Sequence, residues 1–157
     1  MLKQMKTVAI ALVALVASPV SLADDYEVGE IHIAHPWSRE APPNAPVIGG
    51  FFQLTNHGDI EDALIAAESP IAGHVEIHTH KKEDGVMKMI KIDEVRVPAS
   101  GSVLFKPGSF HLMIFNPTQI LKEGNRFPMT LTFKNAGKVQ VEMVVEKQDR
   151  MKKNMHH

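Results

Sequence analysis

The chain has 157 residues, a length that suits one domain with a full hydrophobic core and disfavours two domains. It carries 17 Lys and Arg against 18 Asp and Glu, a formal net charge of −1. Residues 1–23, which we expect to be cleaved, contain Lys3 and Lys6, so the remaining chain has a formal net charge of −3. This negative charge disfavours a nucleic-acid partner. There are 9 His and 9 Met but no Cys, so the composition excludes disulfide scaffolds, thiolate zinc sites, thiol catalysis and blue-copper centres.

The N-terminal segment predicts an export signal. Lys3 and Lys6 precede an uncharged stretch at residues 7–17, and small residues lead up to Ala23, just before two aspartates. Ser18-Pro19 interrupts the apolar run before it reaches the roughly 20 residues of a membrane-spanning helix. We therefore expect residues 1–23 to be cleaved near Ala23, leaving a periplasmic protein with no stable membrane insertion.

The rest of the chain shows short alternating or β-branched runs separated by Pro, Gly, Asn and Asp, and this pattern predicts strands rather than helices. Nine strands in one unit, residues 24–147, favour an all-β, immunoglobulin-like Greek-key sandwich or barrel. The expected strands are residues 30–34, 48–55, 63–67, 75–80, 86–92, 102–105, 111–115, 129–133 and 139–146.

Three of these strands carry His and Met at alternate positions, and residues i and i+2 of a strand share a face. The segments are His78-Thr79-His80, Met87-Lys88-Met89 and His111-Leu112-Met113. In each strand, the residues between or beside these His and Met residues point to the opposite face. They include apolar side chains that are better suited to the core: Ile77, Ile90 and Leu112. The pattern thus predicts one core face and one face of potential ligands, although a two-sided sandwich strand that buries both faces is the alternative.

The first two segments flank a tight-turn signal and predict a hairpin. Centred between Glu83 and Asp84, this hairpin would place His78 opposite Met89 and His80 opposite Met87. A register shift of two residues would keep all four on the same face.

The chemistry of this face indicates a soft metal. Thioethers select Cu(I) over zinc, magnesium or calcium, and imidazoles bind it in their neutral form. Met129 and Met143 alternate with core residues and are expected to be core methionines instead. No common catalytic motif is present, so we do not expect an enzyme.

The spacing of these residues resembles the signature of the periplasmic PCu(A)C-type copper chaperones. That signature is His or Met, ten residues, Met, twenty-one residues, His, one residue and Met, and it coincides with His78, Met89, His111 and Met113. The likeness covers nearly all of the mature chain, through residues 35–37, 54–56, 76–80, 85–89, 106–108 and 131–133. The resemblance implies a cupredoxin-like barrel that holds one Cu(I) through those four side chains. It also implies delivery to the subunit of cytochrome c oxidase that carries the Cu(A) centre, often alongside a Sco-type copper protein.

Several alternatives stay open. His80 and Met87 are secondary candidates that tune or substitute for ligands. The last residues, 148–157, form either a solvated tail or a second, flexible site suited to Cu(II), with candidate ligands Met151, Met155, His156 and His157. The functional alternatives are a periplasmic copper buffering or resistance protein, a copper redox protein, which the lack of Cys disfavours, and a metal-free ligand-binding β-sandwich.

Overall fold

The computed structural model describes residues 24–147, and these form strands, turns and loops with no helix among them. The prediction of an all-β protein is confirmed. Within this range there is accordingly no helix of the length and apolarity needed to cross a bilayer. The predicted signal at residues 1–23 and the predicted His/Met tail at residues 148–157 lie outside the described residues.

The eleven strands of residues 24–147 include a counterpart of each of the nine expected from the sequence. The strands at residues 86–92, 102–105 and 111–115 have the expected bounds, and the other six differ at one or both ends. The two additional strands, at Tyr26–Val28 and Val95–Val97, have three residues each and are too short to show alternation. In chain order the strands are β1 (Tyr26–Val28), β2 (Ile31–Arg39), β3 (Val47–Asn56), β4 (Asp62–Glu68), β5 (His74–Glu83), β6 (Val86–Ile92), β7 (Val95–Val97), β8 (Ser102–Phe105), β9 (His111–Phe115), β10 (Arg126–Phe133) and β11 (Gly137–Glu146).

The strands form one sheet that curls around a single core. Its order is β6-β5-β9-β3-β2-β11-β10-β4-β7, with β1 added to β2 and β8 added to β3. β11 and β2 run parallel, and the other pairs are antiparallel. Ile77, Leu112 and Ile114 of one end share the core with Met129 and Met143 of the other, and all five are buried. Both methionines are therefore core residues, as predicted.

The hairpin between β5 and β6 has a different register from the one predicted. Asp84 and Gly85 both adopt positive φ, 51° and 78°, and form a two-residue loop that pairs Glu83 with Val86. His80 therefore lies opposite Met89, and His78 lies opposite Lys91. The predicted pairs His78 with Met89 and His80 with Met87 are wrong by two residues, because the turn is centred one position further along the chain.

Candidate metal site

The sheet order brings the three His/Met segments side by side. β5 pairs with β6 along one edge and with β9 along the other. His78 lies directly opposite His111, and their ring centroids are 5.9 Å apart. The ring of His80 lies 5.3 Å from that of His111. Because side chains alternate across a sheet, the six predicted residues of the three segments share one face.

The opposite face of β5 and β9 belongs to the core, whereas on β6 Ile92 packs against the core but Val86, at the turn, is 57% exposed. Ile77 and Leu112 are paired across β5 and β9, and both are buried, at 4% and 0% exposure. A shift of two residues in the hairpin keeps each side chain on its face, whereas a shift of one would exchange the two faces. The predicted His/Met face is therefore unchanged, although the predicted pairing of β5 with β6 was wrong by two residues.

The methionines of this face are open to solvent to different degrees. Met87 and Met89 on β6 are 57% and 53% exposed. Met113 on β9 is half-buried, and lies opposite Glu76 on one side and Gly49 of β3 on the other. The thioethers of β6 thus form the accessible rim of the face, next to the more enclosed imidazoles.

His111 is the most enclosed of the candidate ligands within residues 24–147, at 5% exposure. Its Nδ1–H donates a hydrogen bond to the backbone carbonyl of Ser109 at 2.8 Å, which leaves the lone pair on Nε2. Burial lowers the pKa of His111 below its ordinary 6.5, the nearby His80 and His78 act in the same direction, and the bond to Ser109 opposes them. This imidazole is consequently neutral at pH 7, as a metal ligand must be.

His78 is held by a carboxylate that the sequence analysis did not single out. Its Nε2 lies 2.6 Å from Oε2 of Glu76, two residues earlier on the same face of β5. The hydrogen bond from His78 lowers the pKa of Glu76 below 4.5, and Lys91 contributes in the same direction against partial desolvation. The i, i+2 spacing of Glu76 and His78 was the available signal. Ser109, which acts through its backbone, leaves no such signal in a sequence.

The donor set of this face fits a soft monovalent metal better than a hard or borderline one. Among residues 24–147 no three His, Asp or Glu side chains are grouped so that they could hold an ion together. The thioethers on the face shared by His78 and His111 are ligands that favour Cu(I). His80 and Met87 lie on the same face as predicted, and the four tail candidates lie outside the described residues.

A family model described as LpqE-like lipoprotein matches residues 31–145. The chain is also 34% identical over 131 residues to the uncharacterized protein RP573 of Rickettsia prowazekii (strain Madrid E), covering 75% of this chain and 71% of that protein.

Solved structures give a consistent comparison. The copper-bound PCuAC domain from PmoF2 matches with a TM-score of 0.68 and 27% identity, over 78% of this chain and 97% of that domain. The solution structure of CuI-DR1885 from Deinococcus radiodurans matches with a TM-score of 0.57 over 79% of this chain and 81% of that one, and at 23% identity it bears on the fold alone. These matches confirm the predicted cupredoxin-like and immunoglobulin-like architecture.

Proposed function

The chain belongs to the LpqE-like family of PCuAC proteins, and we propose that it is a periplasmic copper chaperone that carries Cu(I) through His78, Met89, His111 and Met113. The proposal goes beyond family membership in three respects: the ligand set, the compartment and the recipient. It does not assign any catalytic step to the protein.

The observation that carries the proposal is the direct pairing of His78 with His111 on a face that also bears Met89 and Met113. These residues come from β5, β6 and β9, which are neighbours in the sheet order β6-β5-β9. Two imidazoles and two thioethers provide four soft or borderline ligands without a carboxylate or thiolate among them. The copper-bound PmoF2 domain, similar over 78% of this chain, supports copper as the cargo.

The difference in exposure among these ligands suits a carrier. His111 is buried, and would hold the ion from the sheet side. Met89 is 53% exposed at the rim, so a ligand from a partner protein would reach the ion there first. A thioether can release the ion without taking up a proton, so ligand exchange at Met89 needs no change of protonation in the chaperone.

A competitive titration with a chromophoric Cu(I) chelator tests the ligand set. We expect the wild-type protein to bind one Cu(I), and His111→Ala and Met113→Ala each to lose affinity by about two orders of magnitude, with His57→Ala as the control for an exposed imidazole elsewhere. X-ray absorption of the loaded protein should show both sulfur and nitrogen shells. A shell of nitrogen and oxygen alone would contradict the site and direct attention to the tail.

We further propose that the recipient is the Cu(A)-bearing subunit of cytochrome c oxidase, reached directly or through a Sco-type protein. Mixing the Cu(I)-loaded chaperone with the apo Cu(A) domain, with and without a Sco-type protein, measures transfer. Copper retained by the chaperone in both mixtures would contradict delivery and favour a buffering role instead.

A further inference from the structure

Glu76 lies at the centre of a group of nitrogen-bearing side chains beside the proposed copper site. Its Oε2 meets Nε2 of His78 at 2.6 Å, and its Oε1 lies 3.5 Å from Nε2 of His74 and 3.8 Å from Nζ of Lys91. Its side chain is 22% exposed, so water competes only partly for the carboxylate. In the β5–β9 ladder it stands opposite Met113, one of the proposed ligands. The carboxylate thus touches one proposed ligand and faces another.

The second nitrogen of His78 has no partner of its own. Nδ1 is buried and makes no hydrogen bond to any described residue, and the side chain as a whole is only 12% exposed. A buried ring nitrogen without a hydrogen-bond partner costs free energy unless its lone pair binds a proton donor or a metal ion. A neutral imidazole carries one N–H and one lone pair, and a carboxylate can only accept. In its neutral form, His78 therefore carries its proton on Nε2, towards Glu76, and its lone pair on Nδ1.

The two paired imidazoles are consequently oriented by different acceptors and in opposite senses. His111 donates from Nδ1 to the carbonyl of Ser109 and keeps its lone pair on Nε2. His78 donates from Nε2 to Glu76 and keeps its lone pair on Nδ1. Hydrogen-bond acceptors that orient metal-binding imidazoles in this way are a recurrent feature of metal sites.

We propose that Glu76 is a positioning residue of the copper site, which holds His78 in the Nε2–H form so that Nδ1, and not Nε2, binds Cu(I). This inference rests on the proposed function, because it takes Cu(I) as the ion that His78 binds. It adds a residue outside the His/Met signature, and assigns a specific nitrogen to each imidazole: Nδ1 for His78 and Nε2 for His111.

Long-range ¹H–¹⁵N correlation spectra of the imidazoles test the assignment directly, first without metal and then with one equivalent of Cu(I). In the metal-free wild type we expect His78 as a single Nε2–H tautomer. On loading, the ¹⁵N shift should change most at Nδ1 of His78 and at Nε2 of His111. A copper-induced shift centred on Nε2 of His78 would overturn the proposal.

Variants separate positioning from simple structural support. Glu76→Ala should give a mixture of His78 tautomers and about a 10- to 100-fold loss of Cu(I) affinity. Glu76→Gln, whose amide oxygen still accepts from Nε2, should retain the single tautomer and most of the affinity. Glu83→Gln, at an exposed carboxylate on the same strand near Lys88, should change neither.

The outcomes distinguish this proposal from the one on which it rests. A wild-type protein that binds no Cu(I) would overturn the proposed function and, with it, the role of Glu76. A wild type that binds Cu(I) no more tightly than Glu76→Ala, with the variant's far-ultraviolet spectrum and unfolding midpoint unchanged, would overturn only the role of Glu76.

Discussion

His78 and His111 face each other across the β5–β9 ladder with their ring centroids 5.9 Å apart, although three other strands, β6, β7 and β8, separate them in the chain. Each ring has one nitrogen tied to an acceptor, Glu76 for His78 and the Ser109 carbonyl for His111. The pair is therefore oriented in the metal-free protein, and binding of the proposed Cu(I) would not have to order two free imidazoles.

Met89 and Met87 offer a matched test of the thioether assignment. Both lie on the same face of β6 with similar exposure, 53% and 57%, but only Met89 stands opposite a histidine and belongs to the spacing signature. We expect Met89→Leu to lower Cu(I) affinity by at least about tenfold, and Met87→Leu by much less, in a chelator competition. Equal losses, or none in Met89→Leu, would contradict the assignment. Both exposed replacements should alter the free energy of unfolding by no more than about 0.5 kcal/mol.

His78 and His80 should contribute unequally to binding. His78 has a buried nitrogen without a hydrogen-bond partner, whereas Nδ1 of His80 has a long contact, 3.4 Å, to the Ser109 carbonyl. We expect His78→Asn to reduce Cu(I) affinity by roughly 100-fold and His80→Asn by less than about tenfold. The same competition measures both. A larger loss in His80→Asn would mean that the residue directly opposite Met89 is the ligand, and that His78 is not.

The stability of the metal-free protein should fall in mild acid because of His111. Its pKa is lowered in the folded state relative to 6.5 when unfolded, mainly by burial, so below about pH 6.5 the unfolded chain binds more protons. The contribution of neutral His111 to the free energy of unfolding is therefore fully present above about pH 6.5, and it is lost as the pH falls through the pKa of His111 in the folded protein. The slope from this group is at most about 1.4 kcal/mol per pH unit.

Urea unfolding of wild type and His111→Gln between about pH 7.5 and 5 isolates that contribution, because the other titrating groups are common to both proteins. The wild type should lose stability more steeply over this interval. Parallel curves for the two proteins would contradict the assignment of the effect to His111.

Asp62 is expected to stabilise the fold without affecting copper. Its buried carboxylate accepts N–H groups from Ala63, Asn135 and Ala136, and so joins the start of β4 to the turn between β10 and β11. Asp62→Ala leaves these three donors without their acceptor and should cost roughly 2–4 kcal/mol of unfolding free energy, measured in urea. Asp59→Ala, at an exposed position nearby, should be almost neutral. An Asp62→Ala protein as stable as the wild type would show that water replaces the carboxylate.

Local pattern was sufficient to predict the strand class, the two-faced character of β5 and β9, and the core placement of Met129 and Met143. It was wrong for the turn end of β6, where both faces are exposed. Strand alternation is a property of successive residues, and the chemistry of imidazole and thioether donors is carried by the residue types themselves. The same local reasoning put the hairpin centre at Glu83 and Asp84, because it could not decide which residues of the turn would adopt positive φ. Asp84 and Gly85 do so, and their pair sets the register.

By itself, then, the sequence determined which potential metal ligands this protein has, imidazoles and thioethers, and which of them share a face within each strand. Only the tertiary structure decided that β9 lies beside β5, so that His111 meets His78, and that Glu76 and the Ser109 carbonyl orient the two rings. The physical reason is that pairing between strands distant in the chain depends on how the whole sheet closes over its core. The hydrogen bonds made by the imidazoles of His78 and His111 likewise depend on which groups the fold buries beside them. Neither quantity is encoded in the spacing of a few neighbouring residues.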